Sequence, residues 1–205
     1  MSDLIFYTNP MSRGRIIRWM LEEVGVDYDV KPVAYGEEMK SAPFIDVNPM
    51  GKVPAIQHKG QTVTECAAIC AYLADAFPEK GLAPAMSDRA NYYRWMFFAA
   101  GPLEAAVTNG ALGFIPKDDQ KRMAGYGDKE TTLNALAKAV SAYAFIAGPD
   151  FTAADVYVGA QIAWGMQFGT IEKRPEFEAY TAKFMQRPAY IRAGELDDAL
   201  AAELA

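Results

Sequence analysis

One histidine and two cysteines are the only imidazole and thiol groups in this 205-residue chain. His58 has no cysteine or carboxylate cluster near it in sequence, which argues against a structural or catalytic zinc site. Cys66 and Cys70 are four apart, so on a helix they share a face. That spacing is not a Cys-x-x-Cys redox pair, and side chains on successive turns rarely meet disulfide geometry. They read as two small buried thiols. Long apolar runs are missing too. The most apolar stretch, 144–168, is broken at Gly148-Pro149-Asp150, so no segment suits a bilayer. Met1-Ser2-Asp3 carries neither a basic region nor an apolar stretch, so no secretory signal is expected. Positive charge is in short supply: 20 Lys and Arg against 26 Asp and Glu leave a formal net charge of −6. That balance argues against nucleic acid or an anionic membrane as the main partner. The expectation is a soluble, cytoplasmic protein without a membrane or nucleic-acid partner.

What is present is ordinary for a globular chain, with 51% hydrophobic and 22% charged residues. The length suits one large domain or two small ones with a real core. Leu4 to Tyr7 reads as a strand, ended by Asn9-Pro10. Arg13 to Val24 carries Ile16, Ile17, Met20, Leu21 and Val24 on a helical face. Tyr28 to Val33 reads as a second strand. Val53 to Gln57 and Gln61 to Val63 read as a hairpin around Lys59-Gly60. Glu65 to Phe77 reads as a helix. After a linker from Pro78 to Pro84 the strand signals vanish. Arg89 to Ala106 is helical and rich in aromatics, with a kink expected at Gly101-Pro102. Asp128 to Ile146 reads as one helix. Thr152-x-x-Asp155 is a capping-box signal for the next. Arg174-Pro175 and Arg187-Pro188 punctuate two more. The expected fold is an α/β thioredoxin-like N-terminal domain, residues 1–79, followed by an all-α helical C-terminal domain, residues 87–205.

The most informative feature is the pairing of Val53-Pro54 with Glu65-Cys66. A proline among strand-like apolar residues belongs at a strand start or edge, because it cannot donate to the ladder. X-Pro is also the common place for a cis peptide. A cis Val53-Pro54 bond turns the N–H and C=O of Val53 outward, one donor and one acceptor for an extended peptide. A helix N-terminus follows, with unpaired N–H groups suited to a carboxylate. Together these describe a socket for a small anionic peptide.

Asn48-Pro49-Met50-Gly51-Lys52-Val53-Pro54, then Glu65 and a small residue before Ala67-Ala68-Ile69, resembles the glutathione-binding half of cytosolic glutathione S-transferases, in particular the bacterial, Ser-type, theta- or beta-like members. The resemblance extends upstream to Pro10-Met11-Ser12-Arg13-Gly14-Arg15. It resumes at Phe151-Thr152-Ala153-Ala154-Asp155, so it spans nearly the whole chain. It implies a homodimeric detoxification enzyme that uses glutathione as co-substrate and no metal. The implied chemistry is activation of the glutathione thiol for attack on a small hydrophobic electrophile. Reduction of disulfides or peroxides by glutathione, and a non-catalytic binding protein of the same fold, are the alternatives.

Site residues follow from the resemblance. Ser12 is the expected catalytic residue, its hydroxyl donating to the glutathione sulfur. By its place alone it is a helix cap worth about 1 kcal/mol. A thiol with a pKa of about 8.5 needs such a donor and a helix N-terminus to favour the thiolate. Tyr7 is the rival activating group, or else a core aromatic or pocket residue. Arg13 and Arg15 add positive potential, and Arg13 is a candidate direct partner of the thiolate. Lys52 is expected at the glycine carboxylate, Val53 with Pro54 at the cysteinyl unit, and Glu65 at the γ-glutamyl ammonium. Without a ligand, Glu65 is a first-turn acid that stabilises the helix dipole. Cys66 stands where the family usually has Ser, and its weaker S–H donor costs affinity by about 1 kcal/mol. Met11, Tyr35 and the aromatic helix from Tyr92 to Phe98 are expected to border the electrophile pocket, between the domains.

Overall fold

The computed structural model describes residues 2–204. Alternation of burial builds the first strand. In β1 (Leu4–Thr8), Leu4, Phe6 and Thr8 are buried while Ile5 and Tyr7 are half-buried. β2 (Asp29–Pro32) pairs parallel to β1. β3 (Ala55–His58) runs antiparallel to β1, and β4 (Gln61–Thr64) antiparallel to β3. The sheet order is β2-β1-β3-β4, the mixed thioredoxin-like pattern expected from the sequence.

Helix α1 (Gly14–Val24) crosses from β1 to β2 and buries Ile16, Ile17, Met20, Leu21 and Val24. A parallel pair requires such a crossover, which a tight turn cannot supply. Gly14 is needed at its first turn. A Cβ there would stand 2.0 Å from the Thr8 hydroxyl oxygen, so the helix enters close against the strand only because the side chain is missing. Short helices α2 (Glu37–Lys40) and α3 (Phe44–Val47) follow β2, and α4 (Cys66–Ala76) follows β4.

The chain forms two compact units. One runs through Lys80 and takes up the chain again from Gln186; the other is Gly81–Met185. The final helix, α10 (Pro188–Glu203), was grouped with the C-terminal helices by sequence. It packs on α1 within the first unit. Arg18 and Asp197 pair at 3.1 Å with both side chains buried. Arg187 holds Glu23 with two bonds of 2.7 Å, and the Trp19 and Tyr190 rings meet edge-on at 4.9 Å. Charges this deeply buried persist only when paired.

The second unit is helical. The long aromatic segment divides into α5 (Ala90–Phe98), a π-helical turn at Ala99–Leu103 and α6 (Glu104–Ala111). Pro102 lies inside that turn, which absorbs the missing N–H where a kink was expected. Helix α7 (Lys129–Val140) stops short of the expected Ile146. The buried Ile146 N–H lies outside the helix and donates to Asp155 Oδ1 at 2.8 Å. Helices α8 (Ala153–Phe168) and α9 (Pro175–Met185) complete the unit. Thr152 and Asp155 form the capping box that the sequence signals. Among the described residues, no helix is long and apolar enough to cross a membrane.

Candidate active site

Strand register brings the sequence-predicted residues to one end of the sheet. Tyr7 pairs with Ala55 on β3, and Ala55 pairs with Thr64 on β4. Three segments therefore leave the sheet side by side. One is the turn from Asn9 to Arg13 after β1. The second is Val53-Pro54 before β3, and the third is Glu65-Cys66 after β4. The Cys66 thiol lies 3.8 Å from the Arg13 carbonyl oxygen, which joins the first segment to the third.

The Val53-Pro54 bond is cis. Among the described residues, neither the N–H nor the C=O of Val53 makes a backbone hydrogen bond. The turn before it is firmly held. Asn48 is buried; its amide donates to the Lys52 carbonyl at 2.7 Å and its Oδ1 accepts from Met50 N–H at 3.1 Å. Lys40 Nζ donates to the carbonyls of Met50 and Gly51 at 3.0 and 2.7 Å. Gly51 has φ 56°, and a Cβ there would meet the Met39 carbonyl oxygen at 2.6 Å. Only glycine fits both demands. The Lys52 side chain is exposed.

Glu65 has φ 69° and ψ 123°, a conformation that costs a non-glycine residue about 1–3 kcal/mol. It ends β4 and starts α4 without an intervening turn, and its carbonyl accepts from Ile69 N–H at 2.8 Å. Its side chain is exposed. Strain of this kind concentrates at functional sites. Cys66, 9% exposed, is the first residue of α4, where backbone N–H groups lack intrahelical partners. Cys70 is buried one turn later, and burial pushes its thiol well above the usual range, with the neighbouring Cys66 adding to the effect.

The turn after β1 is organised by Asn9. Its carbonyl accepts from the Ser12 N–H at 3.0 Å and from the Ser12 hydroxyl at 2.7 Å. Its Oδ1 accepts from Met11 N–H at 2.9 Å, and its amide donates to the Val33 carbonyl at 3.0 Å. The Ser12 hydroxyl oxygen also accepts from Gly14 N–H at 2.9 Å, a turn bond one residue before the N-cap, which is Arg13 rather than the expected Ser12. Ser12 is half-buried and Arg13 exposed. Met11 is 76% exposed, and its carbonyl accepts from the Tyr35 hydroxyl at 3.1 Å. The structure thus brings Met11, Ser12, Arg13 and Tyr35 together beside Cys66.

Two residues stand apart. Tyr7 lies on the sheet face opposite Phe6, which stacks on Arg18 of α1. The Tyr7 hydroxyl donates to Gln57 Oε1 at 2.8 Å, and its ring packs 5.8 Å from Phe44. Tyr7 is therefore built into the small core with Val33, Met39 and Phe44, away from the face that α1 covers. Arg15, expected to add potential at the sulfur, spends its guanidinium on the Pro10 carbonyl at 2.6 Å and on Asp198 at 2.7 Å. In the helical unit, Tyr92, Trp95 and Met96 are core while Tyr93 and Phe97 are exposed.

Sequence reasoning gives no site role to Asn9, Lys40 or Asn48. The two asparagines precede prolines, a turn signal that points to them. Lys40 has no local signal, because its partners lie ten and eleven residues further on.

Comparison with known proteins finds relatives of one family. A family model for the glutathione S-transferase N-terminal domain matches residues 2–75. The glutathione S-transferase GstA of Escherichia coli O157:H7 is 29% identical over 183 residues, covering 88% of this chain and 85% of that protein. Among solved structures, a sphingomonad glutathione S-transferase complexed with glutathione is 30% identical, with a TM-score of 0.75 over 95% of this chain and 98% of that one. A glutathione transferase from Methylococcus capsulatus str. Bath is 27% identical, with a TM-score of 0.78 over 95% of this chain and 98% of that one.

Proposed function

Since the chain belongs to the glutathione S-transferase family and is a glutathione transferase, we propose how its own residues divide that work. The convergence of Ser12, Val53 and Glu65-Cys66 at one end of the sheet carries the reading. The cysteinyl unit of glutathione pairs with the backbone N–H and C=O of Val53 as a short added strand. The Glu65 carboxylate takes the γ-glutamyl ammonium. The Cys66 N–H and the start of α4 take the γ-glutamyl carboxylate. Lys52 takes the glycine carboxylate.

The sulfur then lies at the start of α1, within reach of the Ser12 hydroxyl. Its proton leaves to water, and the Ser12 O–H and the helix N-terminus favour the thiolate. The sulfur lone pair forms a bond to an electrophilic carbon. A leaving group departs with its electron pair, or the pair moves to an adjacent acceptor atom that is protonated by water. Met11 and Tyr35 offer apolar surface to the electrophile. Detoxification of small hydrophobic electrophiles in the cytoplasm fits this chemistry. Exposed Tyr93 and Phe97 on α5 are the surface we assign to a homodimer.

The purified protein is expected to be retained by immobilised glutathione and to conjugate a chromogenic aryl halide. Light scattering of the same preparation should give the mass of two protomers. Failure of retention and turnover together would remove the reading.

Cys66 gives a sharper test of the socket. Serine there offers a stronger hydroxyl donor to the γ-glutamyl carboxylate. Cys66→Ser should tighten glutathione by up to about tenfold, roughly 1.4 kcal/mol. Turnover at saturation should stay level, because that contact is equal in ground and transition states. A dissociation constant unchanged by calorimetry would assign Cys66 to packing alone.

A further inference from the structure

We propose that Asn9 is a positioning residue for thiol activation, acting on the glutathione sulfur through the Ser12 hydroxyl. The inference rests on Ser12 being the sulfur ligand. Asn9 is 8% exposed, and its carbonyl, side-chain oxygen and amide each make a hydrogen bond. The side chain ties the turn to two places at once, Met11 N–H within it and the Val33 carbonyl beyond β2. Those bonds fix where the Asn9 carbonyl points, and that carbonyl holds the Ser12 proton at 2.7 Å.

A hydroxyl has one proton, so Ser12 cannot donate to Asn9 and to a thiolate together. The Asn9 carbonyl has a second donor in the Ser12 N–H at 3.0 Å. It therefore stays satisfied when the hydroxyl swings away. The Ser12 oxygen keeps its bond from Gly14 N–H, which acts as the pivot of that rotation. In the free protein the proton is parked on a neutral carbonyl. An arriving thiolate is the better acceptor, because a charge-assisted bond is the stronger one. Asn9 thus holds the hydroxyl one rotation away from use. Without the two side-chain bonds, the turn samples arrangements in which the Ser12 oxygen is off the sulfur, and small misplacements of this kind cost rate.

The test is a double-mutant cycle with pH profiles, using the full-length protein. Asn9→Ala should lower kcat by about tenfold and move the ascending limb of the profile to higher pH, with KM for glutathione within about threefold of the parent. In a Ser12→Ala background, Asn9→Ala should change kcat and the profile by less than about twofold, because its effect runs through the missing hydroxyl. Retention on immobilised glutathione reports the fold of each variant. If Asn9→Ala is not retained, Asn9→Asp serves in the same cycle, since it keeps the acceptor for Met11 N–H and loses the donor to Val33. Losses that multiply independently in the double variant would overturn the proposal. So would an unmoved pH profile in the Asn9 variants while Ser12→Ala shifts its own. If Ser12→Ala leaves rate and profile unaltered, the Ser12 reading fails first and this inference with it.

Discussion

Asp155→Ala should destabilise the protein by about 3–5 kcal/mol, because several buried donors lose their one shared acceptor. The carboxyl is fully buried at the start of α8. It accepts from Ile146 N–H at 2.8 Å, Thr152 N–H at 2.9 Å, the Thr152 hydroxyl at 3.0 Å and the Tyr180 hydroxyl at 2.7 Å. Burial pushes the carboxyl above its ordinary range, against the pull of those four donors. Alanine leaves each donor in a dry interior without an acceptor, at about 1–3 kcal/mol for each group that finds no substitute. It also ends the capping box. Tyr180→Phe, which removes a single donor, should cost only about 1 kcal/mol. Urea denaturation checks both, through a lowered midpoint at constant slope. Equal effects for the two variants would show that Asp155 is not the hub of the network.

Ser12→Ala should lower kcat by about ten- to a hundredfold, since one donor aimed at a developing or resident anion is worth roughly 2–4 kcal/mol at most. The lower end is favoured by the geometry. The hydroxyl must first leave the Asn9 carbonyl, at a cost of about 1 kcal/mol, and a bond to the thiolate returns roughly twice that. Loss of the donor should raise the pKa of bound glutathione, so the ascending limb of the pH–rate profile moves to higher pH. KM for glutathione should change far less, because in the proposed binding mode Val53, Glu65 and Lys52 hold the rest of the tripeptide. Spectrophotometric titration of the bound thiolate checks the pKa directly. An unaltered profile in Ser12→Ala would pass the role to Arg13. Tyr7→Phe should leave the profile in place, since its hydroxyl serves Gln57 on the other face of the sheet.

Much of the architecture and part of the site were legible in the chain itself, wherever the signal is local. The apolar spacing in 16–24 specifies α1, and Lys59-Gly60 specifies the hairpin between β3 and β4. Thr152-x-x-Asp155 announces α8, because a capping box is closed by residues three apart. Val53-Pro54 and Glu65-Cys66 mark the cis peptide and the helix start of the proposed socket, since proline and helix starts constrain their own backbone. Tertiary structure alone decided where each hydroxyl and cation spends its bonds. Tyr7 and Gln57 are fifty residues apart, Asn9 and Val33 twenty-four, and Arg15 and Asp198 one hundred and eighty-three. No pattern along the chain encodes those meetings. The bond from Ile146 N–H to Asp155 has the same origin, because it forms only once α8 has arrived. So has the docking of α10 on α1, which waits on Arg18 and Asp197 burying one another. Local sequence determines which backbone turns and helix starts form the proposed socket, while packing determines where each side chain around it is placed.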